Sequence, residues 1–349
     1  MTKISVNTKQ KYEVIFQRGG IASLGQLLLP LHSQCRVLIV CDENVEKLYL
    51  QIAMHTLKAN GYGVFTHVLR CGEQNKNFAS YQSVLNALLQ NGFTRSDLLI
   101  ALGGGVIGDV VGFVAATYMR GIDYVQVPTT LMAMIDSAIG GKTAIDFGGI
   151  KNSVGAFHQP ILVVEDVSAL DTLADCEWKN GLGEGLKYAV LQGGSIYEIA
   201  RCGIDANNVE KFAIECVKYK AKIVEGDEKD RGERKLLNLG HTVAHALEAQ
   251  SGYVLKHGIA VAKGVLVMAQ AAKKAGEIKD KDFEKIIALL QTFGFYDNGE
   301  IAVELLEEYF AHDKKACGTN DICFVKIKGI GNCGLQTLPQ KEFVKYLRI

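Results

Sequence analysis

Short apolar runs alternate with amphipathic stretches through the first half of the chain, and this alternation constrains the fold most strongly. The predicted strands are 35–41, 63–70 and 97–102, and the predicted helices are 46–59, 78–91 and a segment that begins after Gly105. Strands that alternate with helices predict βαβ units and a parallel sheet. Such sheets bind ligands at the carboxyl ends of their strands, so we expect a binding site at that edge.

The pattern changes after about residue 165, where strand-like runs become rare. The predicted helices of this part are 177–190, 195–202, 208–224, 236–248, 260–275, 280–292 and 302–310. One late β-like segment, 321–327, interrupts them, and the pattern assigns it no role. Because 349 residues exceed one ordinary core, we expect an α/β, Rossmann-like N-terminal domain over 1–165 and a mainly α-helical C-terminal domain over 166–349.

The charge balance and the cysteines exclude several classes of protein. Lys plus Arg number 38 and Asp plus Glu also number 38, so no net field favours nucleic acid or an anionic membrane as a partner. The longest apolar runs have the length of a strand, and Met1–Asn7 lacks the core of a signal peptide. The 9 cysteines include no Cys-x-x-Cys pair, which fits reduced thiols in a cytoplasmic protein.

A glycine-rich turn, Gly103–Asp109, lies between a predicted strand and a predicted helix. Glycines let the backbone approach a ligand closely, and a helix N-terminus offers free N–H groups to phosphate. The spacing differs from G-x-G-x-x-G, and a generic turn is the alternative, but the context favours a dinucleotide. Further candidate contacts at strand ends are Asp42, Asn44, Glu73, Lys76, Thr129 and Thr130.

A second glycine-rich stretch, Asp136–Asp146, carries Lys142. Its Gly-Gly-Lys-Thr is part of a P-loop pattern, but Asp136 stands where that motif requires its first glycine, so we reject an ATPase. Other candidate anion ligands on nearby loops are Arg120, Lys151 and Asn152. Solvated surface positions are the alternative for each one, but together they favour a phosphate pocket.

His241 and His245 are four positions apart, so a helix would present both imidazoles on one face. A zinc-peptidase helix is excluded because Thr242 stands where that motif needs its glutamate base, and packed or solvated histidines remain an alternative. With Glu184 and His257 they form the set of carboxylate and imidazoles typical of catalytic zinc. The alternative interpretations are a salt bridge between Glu184 and Lys187 and a helix-capping role for His257.

Longer motifs resemble those of the 3-dehydroquinate synthases, within the sugar-phosphate cyclases. They lie at 72–76, 103–109, 126–131, 136–143, 151–160, 237–248 and 313–315. The resemblance implies a dehydroquinate synthase-like fold and an NAD- and metal-dependent lyase of the shikimate pathway. This enzyme converts 3-deoxy-D-arabino-heptulosonate 7-phosphate to 3-dehydroquinate and phosphate through transient oxidation by NAD, phosphate elimination, reduction and intramolecular aldol closure.

The resemblance also implies residue roles. Glu184, His241 and His257 would bind zinc or cobalt, while His245 would relay protons at a substrate hydroxyl. The residues that would hold the substrate phosphate are Lys142, Asn152, Lys314 or Lys315, and Arg120 from a neighbouring subunit of a homodimer. The residues that would address its carboxylate and nearby oxygens are Lys220, Arg234 and Asn238, and Lys187 is kept from the family motif as a further catalytic residue. The implied cofactor-binding residues are Asp42, Asn44, Glu73, Lys76, Gly104, Gly105, Val106, Gly108, Asp109, Thr129, Thr130, Asp136, Lys142, Lys151, Thr172 and Glu177.

The chain departs from the family pattern near the expected metal. It has Gly183 and Gly185 around Glu184 where Ala and Val are usual, Ile259 where Glu is usual, and Lys263 where an apolar residue is usual. Loss of that glutamate removes a candidate hydrogen-bond partner of a metal ligand. Near Thr172, Glu177 is kept but an arginine is lost. The competing functions are a cyclase of sedoheptulose 7-phosphate or glucose 6-phosphate, whose substrates lack the carboxylate, and a polyol dehydrogenase, which would release NADH.

Overall fold

A computed structural model describes residues 1–296, 303–307, 309–310 and 321–348. The chain divides into two compact units. The first comprises Met1–Ala174 and Lys220–Lys229, and the second comprises Asp175–Tyr219 and the described residues from Asp230 onward. The predicted fold class, an α/β first part with a parallel sheet and a mainly helical second part, is confirmed. The domain boundary at residue 165 stays a prediction.

The first unit is built on one large sheet. Its strands are β1 Thr2–Val6, β2 Tyr12–Phe16, β3 Arg36–Asp42, β4 Gly63–Leu69, β5 Leu98–Gly103, β6 Asp123–Pro128 and β9 Leu162–Glu165, and a separate hairpin consists of β7 Lys142–Phe147 and β8 Ile150–Phe157. The 7-stranded sheet has the order β1-β2-β9-β6-β5-β3-β4. Within this sheet β1 runs antiparallel to β2, and all the other neighbouring pairs are parallel. The carboxyl ends of every strand except β1 therefore share one edge.

The apolar sequences of the central strands fit their buried position in the sheet. Residues Val37–Cys41 of β3 and Leu98–Ile100 of β5 are fully buried, because helices cover both faces of a parallel sheet. Asp97 holds the start of these strands together, since its carboxylate accepts hydrogen bonds from the backbone N–H groups of Arg36 and Thr94. The helices of this unit are α1 Leu24–Leu28, α2 Glu43–Val45, α3 Gln51–Ala59, α4 Phe78–Gln90 and α5 Gly105–Thr117, with π-helical turns at Glu46–Leu50 and Ala133–Ser137 and 3-10 turns at Ile21–Ser23, Glu73–Asn75, Tyr118–Arg120 and Val167–Thr172.

The second unit is mainly helical. Its helices are α6 Asp175–Gln192, α7 Gly194–Ala200, α8 Val209–Gly226, α9 His241–Gln250, α10 His257–Lys274, α11 Asp280–Thr292 and α12 Gln340–Arg348, with 3-10 turns at Glu233–Asn238 and Val303–Leu306. The part of α8 from Lys220 onward belongs to the first unit. The β-like segment 321–327 forms β10 Asp321–Gly329, which pairs with β11 Asn332–Pro339. The helix predicted over 302–310 falls partly outside the described residues. None of the described helices is both long and apolar enough to cross a membrane.

The helix predicted over 236–248 starts later than expected. Gly240 adopts φ 78°, in the left-handed region that favours glycine, and this residue separates the 3-10 turn Glu233–Asn238 from α9. As a result, His241 becomes the first residue of a helix rather than an interior one.

Candidate metal and cofactor sites

Three side chains of the second unit direct their ligand atoms at one another. Glu184 lies within α6, and His241 and His257 are the first residues of α9 and α10. Their ligand atoms all lie within 4.8 Å of one another. Glu184 Oε1 is 3.5 Å from Nε2 of His241 and 3.2 Å from Nε2 of His257, and the carboxylate is fully buried. The structure therefore brings together the residues predicted to bind the metal.

Each of these histidines is oriented by a hydrogen bond from its other ring nitrogen. His241 Nδ1 donates to the carbonyl oxygen of Leu239 at 3.2 Å, and His257 Nδ1 donates to Glu248 Oε2 at 3.1 Å. A carbonyl and a carboxylate can only accept, so Nδ1 carries the hydrogen and Nε2 is the nitrogen left to bind a metal. The donor set of one carboxylate and two imidazoles therefore fits zinc or cobalt, with a coordination position left for water or substrate.

Glu248 is the functional residue that the sequence reasoning missed. It lies in the same motif as His241 and His245, is 1% exposed, and supplies His257 with the carboxylate partner that the replacement at Ile259 was expected to remove. The sequence does contain a signal for Glu248, because it lies three residues after His245 and therefore on the same face of the helix.

The protonation of the two histidines differs. Burial lowers the pKa of His241 to about 3, which keeps the ring neutral. Burial also lowers the pKa of His257, but its hydrogen bonds to Glu184 and Glu248 outweigh this effect and raise the pKa to about 10. A metal ion bound at Nε2 of His257 would take the place of the proton shared with Glu184.

Lys187 and His245 lie beside the three candidate metal ligands. Lys187 is 1% exposed, and its Nζ lies 2.5 Å from Glu184 Oε2, so the salt bridge considered from the sequence occupies one carboxylate oxygen while the other faces the histidines. The exposed His245 ring lies 5.6 Å from that of His241 and 6.1 Å from that of His257. His245, Glu248 and His257 form a second group of neighbouring ligand atoms, in which Glu248 Oε2 already accepts a hydrogen bond from His257 Nδ1.

In the first unit, the predicted cofactor residues follow the carboxyl ends of neighbouring strands. Asp42 ends β3 and caps α2, accepting from the backbone N–H groups of Asn44 and Val45. Gly103 ends β5 opposite Pro128 of β6, and its carbonyl oxygen accepts from Thr129 N at 3.0 Å. These positions share one edge of the sheet, as parallel topology predicts.

The glycines after β5 are needed for packing as well as for access. A Cβ added to Gly104 would lie 3.1 Å from Thr130 Cγ2, one on Gly105 would lie 3.0 Å from Ser137 Oγ, and one on Gly108 would lie 2.7 Å from Gln126 Oε1. Helix α5 begins at Gly105, with Val106 in its first turn, and a glycine at the N-cap leaves the N–H groups of that turn uncovered by a capping side chain. The turn therefore combines close loop packing with a helix N-terminus of the kind that binds anions.

Hydrogen bonds around the buried Lys76 join several predicted residues of the first unit. Lys76 Nζ donates to Asp109 Oδ2 and to Asn152 Oδ1, each at 2.5 Å. Burial lowers the pKa of Lys76, but the adjacent Asp109 outweighs it and the net shift is upward, which keeps the ammonium charged. Because the Asn152 amide oxygen accepts from Lys76, its Nδ2 is the group left to donate to an anion. Beside this cluster, Glu73 pairs with Lys151 at 3.6 Å.

Other predicted anion ligands of this unit lie in different settings. Lys220 Nζ donates to the carbonyl oxygen and Oδ1 of Asp136 at 2.7 and 2.9 Å, so these residues form one pair. Lys142, at the start of β7, is exposed. Arg120 is also exposed and has φ 68°, a left-handed conformation that costs free energy in a non-glycine residue.

The remaining predicted residues have separate local contacts. Arg234 is 2% exposed within the turn Glu233–Asn238, whose last residue Asn238 is exposed. Thr172 bonds with the hydroxyl of Tyr49 at 2.6 Å. Glu177 lies in the second unit, where it binds Lys256. Lys314 and Lys315 lie outside the described residues.

Comparisons with known proteins agree across nearly the whole chain. The family model described as 3-dehydroquinate synthase N-terminal matches residues 66–180, and the one described as 3-dehydroquinate synthase C-terminal matches residues 181–316. A 3-dehydroquinate synthase of Pelobacter propionicus is 38% identical, with 99% of this chain and 98% of that protein covered. One of Clostridium acetobutylicum is 37% identical, with coverage of 98% and 97%.

Solved structures share the fold at lower identity. A 2-deoxy-scyllo-inosose synthase complexed with carbaglucose-6-phosphate, NAD+ and Co2+ superposes with a TM-score of 0.89 at 21% identity, covering 99% of both chains. A 2-epi-5-epi-valiolone synthase of Streptomyces hygroscopicus with NAD+ and Zn2+ bound gives a TM-score of 0.86 at 25% identity, covering 99% of this chain and 98% of that one. An iron-containing alcohol dehydrogenase gives 0.63 at 18% identity, with coverage of 97% and 96%.

Proposed function

The chain belongs to the 3-dehydroquinate synthase family, and we propose which of its side chains carry out the reaction of that family. It is an NAD- and metal-dependent lyase that converts 3-deoxy-D-arabino-heptulosonate 7-phosphate to 3-dehydroquinate and phosphate. When bound, NAD supplies an oxidant that is regenerated in each turnover, and the metal ion supplies a Lewis acid for vicinal substrate hydroxyls.

Glu184, His241 and His257 hold the metal ion in this proposal. The observation that carries it is the convergence of Glu184 Oε1 with Nε2 of both histidines, each ring fixed through its Nδ1. Lys187 holds the second oxygen of Glu184 and thereby orients the first. The exposed His245, next to both rings, moves a proton at the substrate hydroxyl that is oxidised.

The other proposed roles follow the chemistry of the substrate. Lys142, Asn152 and Arg120 bind its phosphate, with Asn152 donating from the Nδ2 that Lys76 leaves available. The phosphate, held by cations, accepts the C6 proton before it leaves. Lys220, Arg234 and Asn238 address the carboxylate, which the alternative sugar phosphates lack. The strand-end residues of the first unit bind NAD, with its pyrophosphate at the start of α5.

Phosphate release from two substrates tests this function. Purified enzyme with NAD and zinc is given 3-deoxy-D-arabino-heptulosonate 7-phosphate or, separately, sedoheptulose 7-phosphate. We expect rapid release of phosphate from the first substrate alone, because only the first substrate has a carboxylate. Equal or faster release from sedoheptulose 7-phosphate would place the chain among the other cyclases.

We propose a homodimer in the cytoplasm. The hairpin β7–β8 exposes apolar side chains that a monomer would leave in water, among them Phe147 at 57% and Ile150 at 61% exposure. In this proposal the hairpin packs against a second copy, and Arg120 of one copy serves the phosphate bound by the other.

A further inference from the structure

The hairpin β7–β8 has an irregular register at the point where β8 carries two of the predicted ligand-binding residues. Ile145 pairs with Val154, but the next pair joins Phe147 to Ile150, so Asp146 alone on β7 faces a longer segment of β8. That segment consists of Lys151, Asn152 and Ser153. Extra residues in one strand form a β-bulge, and bulges are common beside active sites, where they turn a side chain in a new direction.

Side chains hold this bulge closed. The backbone N–H of Asn152 donates to Asp146 Oδ1 at 2.8 Å. On the other side of the bulge, Ser153 Oγ lies 3.1 Å from the carbonyl oxygen of Phe147 and 3.0 Å from that of Ile150. Asn152 has φ 52°, in the left-handed region that asparagine adopts more readily than most residues. The carboxylate of Asp146 therefore gives an acceptor to a backbone N–H that the strand pairing skips, and it favours this conformation of Asn152.

Asp146 also holds the backbone of Lys76. The N–H of Asp146 donates to the carbonyl oxygen of Lys76 at 2.8 Å, and Lys76 Nζ donates to Asn152 Oδ1 at 2.5 Å. Together with the bond from Asn152 to Asp146, these hydrogen bonds form a closed ring of three residues. Because Lys76 is only 5% exposed, the ring is anchored in the interior of the first unit. Asp146 thus determines where the amide of Asn152 meets Lys76.

We propose that Asp146 is a positioning residue for the substrate phosphate and that it acts through Asn152. Because Asn152 Oδ1 accepts from Lys76, the amide can bind an anion only through Nδ2. The direction of that donor depends on the backbone conformation of Asn152, which the bond to Asp146 holds. A carboxylate repels a phosphate at close range, so Asp146 acts through this hydrogen bond and not by contact. The inference rests on the proposed role of Asn152 in binding phosphate.

A double-mutant cycle tests whether Asp146 acts through Asn152. The dissociation constant of inorganic phosphate is measured by calorimetric titration of the enzyme loaded with zinc and NAD, for the wild type, Asp146→Ala, Asn152→Ala and the double variant. We expect each single substitution to weaken phosphate binding about tenfold or more, since a hydrogen bond to a charged group is lost or misdirected. The double variant should bind phosphate no more weakly than Asn152→Ala, because Asp146 has no effect once the amide is absent.

Two further variants show whether the effect belongs to the hydrogen bond. Asp146→Asn keeps an oxygen that can accept from the N–H of Asn152, so we expect its phosphate affinity to stay close to that of the wild type. Asp205→Ala is the matched control, because it removes a carboxylate that accepts from the backbone N–H groups of Asn207 and Asn208 in the second unit. This control should bind phosphate as the wild type does.

Other outcomes decide against the inference. Wild-type phosphate affinity in a folded Asp146→Ala variant would overturn it, as would effects of the two alanine substitutions that add in the double variant, or an Asp146→Asn variant that binds as weakly as Asp146→Ala. If Asp146→Ala does not fold, Ser153→Ala decides, because it opens the same bulge from the other side; we expect weaker phosphate binding, and unchanged affinity would overturn the inference. Wild-type affinity in Asn152→Ala would reject the proposed phosphate ligand itself, a result that the cycle distinguishes from failure at Asp146 alone.

Discussion

His241 and His245 lie one helical turn apart but differ in their surroundings. His241 is close to the buried Glu184 and donates from Nδ1 to a backbone carbonyl, whereas His245 is exposed. Burial, which lowers the pKa of His241 to about 3, also keeps that ring neutral and able to bind a metal. One histidine is therefore suited to coordination and the other to proton transfer.

Two alanine substitutions separate these roles. His241→Ala removes a nitrogen ligand, so we expect the purified variant to lose its metal. His245→Ala should keep the metal but release phosphate about a hundredfold or more slowly, because it removes only the proton carrier. Metal content by atomic emission and phosphate release are the measurements, and equal metal loss in both variants would contradict the assignment.

Glu248 offers a test of the outer hydrogen bond. Glu248→Gln keeps the size of the side chain but replaces the charged partner of His257 Nδ1 with a neutral one. We expect zinc affinity to fall about 10- to 100-fold, since outer partners of metal ligands have effects of this size. Zinc competition with a chelator measures the change, and wild-type affinity in the variant would show that this bond does not orient the ligand.

Glu165 provides a pH-dependent prediction away from the metal. This residue is fully buried at the end of β9, its carboxylate oxygens have no hydrogen-bond partner within the described residues, and burial raises its pKa well above the usual value. An acid whose pKa is raised by folding stabilises the fold fully below its unfolded pKa of about 4.3 and loses that stability as pH rises through the folded pKa.

The comparison uses two variants of Glu165. We expect Glu165→Leu to be more stable than the wild type by about 1–3 kcal/mol at neutral pH, because it removes a buried polar group without a partner. Glu165→Gln should lose less stability than the wild type as the pH rises above about 4.3, because it has no carboxyl group to ionise. Urea unfolding across this range measures both effects. A wild type and a Glu165→Gln variant with parallel stability profiles would contradict the prediction.

At the scale of elements, the end of strand β3 serves two purposes. The carboxylate of Asp42 caps α2 through two backbone N–H groups, and the same residue is proposed to bind NAD. The two contributions can be separated because an asparagine amide oxygen also caps a helix but carries no charge.

We expect Asp42→Asn to keep its free energy of unfolding within about 0.5 kcal/mol, whereas Asp42→Ala loses about 1 kcal/mol. Both variants should bind NAD about tenfold more weakly, since a charge-assisted hydrogen bond is lost. Calorimetry and NAD titration are the measurements. Wild-type NAD affinity in Asp42→Asn would remove Asp42 from the cofactor site.

The sequence predicts elements well where one local pattern dominates. The period of the apolar residues indicates β3, β4, β5, α4 and α11 because burial on one or both faces determines each of them. It places the start of α9 wrongly, since that boundary depends on the conformation of Gly240. The partner of the late strand β10 is not recognised either, because β11 alternates small, polar and apolar residues without a strong apolar face.

The candidate site also contains some features that the sequence predicts and others that it does not. The proposed metal ligands are recognisable from residue types and a family motif, and the structure brings them together. The partnership of Glu248 with His257 and the cluster of Lys76, Asp109 and Asn152 both join residues that are distant in sequence or lack a distinctive pattern. These contacts arise from packing, which a single sequence does not encode locally.

For the whole molecule, the exposed hairpin β7–β8 gives a prediction about assembly. We expect the wild type to be a dimer by light scattering and Ile150→Asp to be a monomer, because a charge at the centre of an apolar contact opposes association. Leu335→Asp is the control, since Leu335 is an exposed apolar residue of the other hairpin, at 41% exposure. A monomeric wild type would reject the dimer, and a dimeric Ile150→Asp would reject this interface.

NAD and the metal ion serve one reaction in which the oxidant is restored within each turnover. The most direct test records phosphate release and NADH absorbance together while the zinc-loaded enzyme consumes 3-deoxy-D-arabino-heptulosonate 7-phosphate in the presence of NAD. We predict that phosphate accumulates over many turnovers while NADH does not. Accumulation of NADH in proportion to substrate consumed, without release of phosphate, would instead identify a polyol dehydrogenase and contradict the regeneration of NAD.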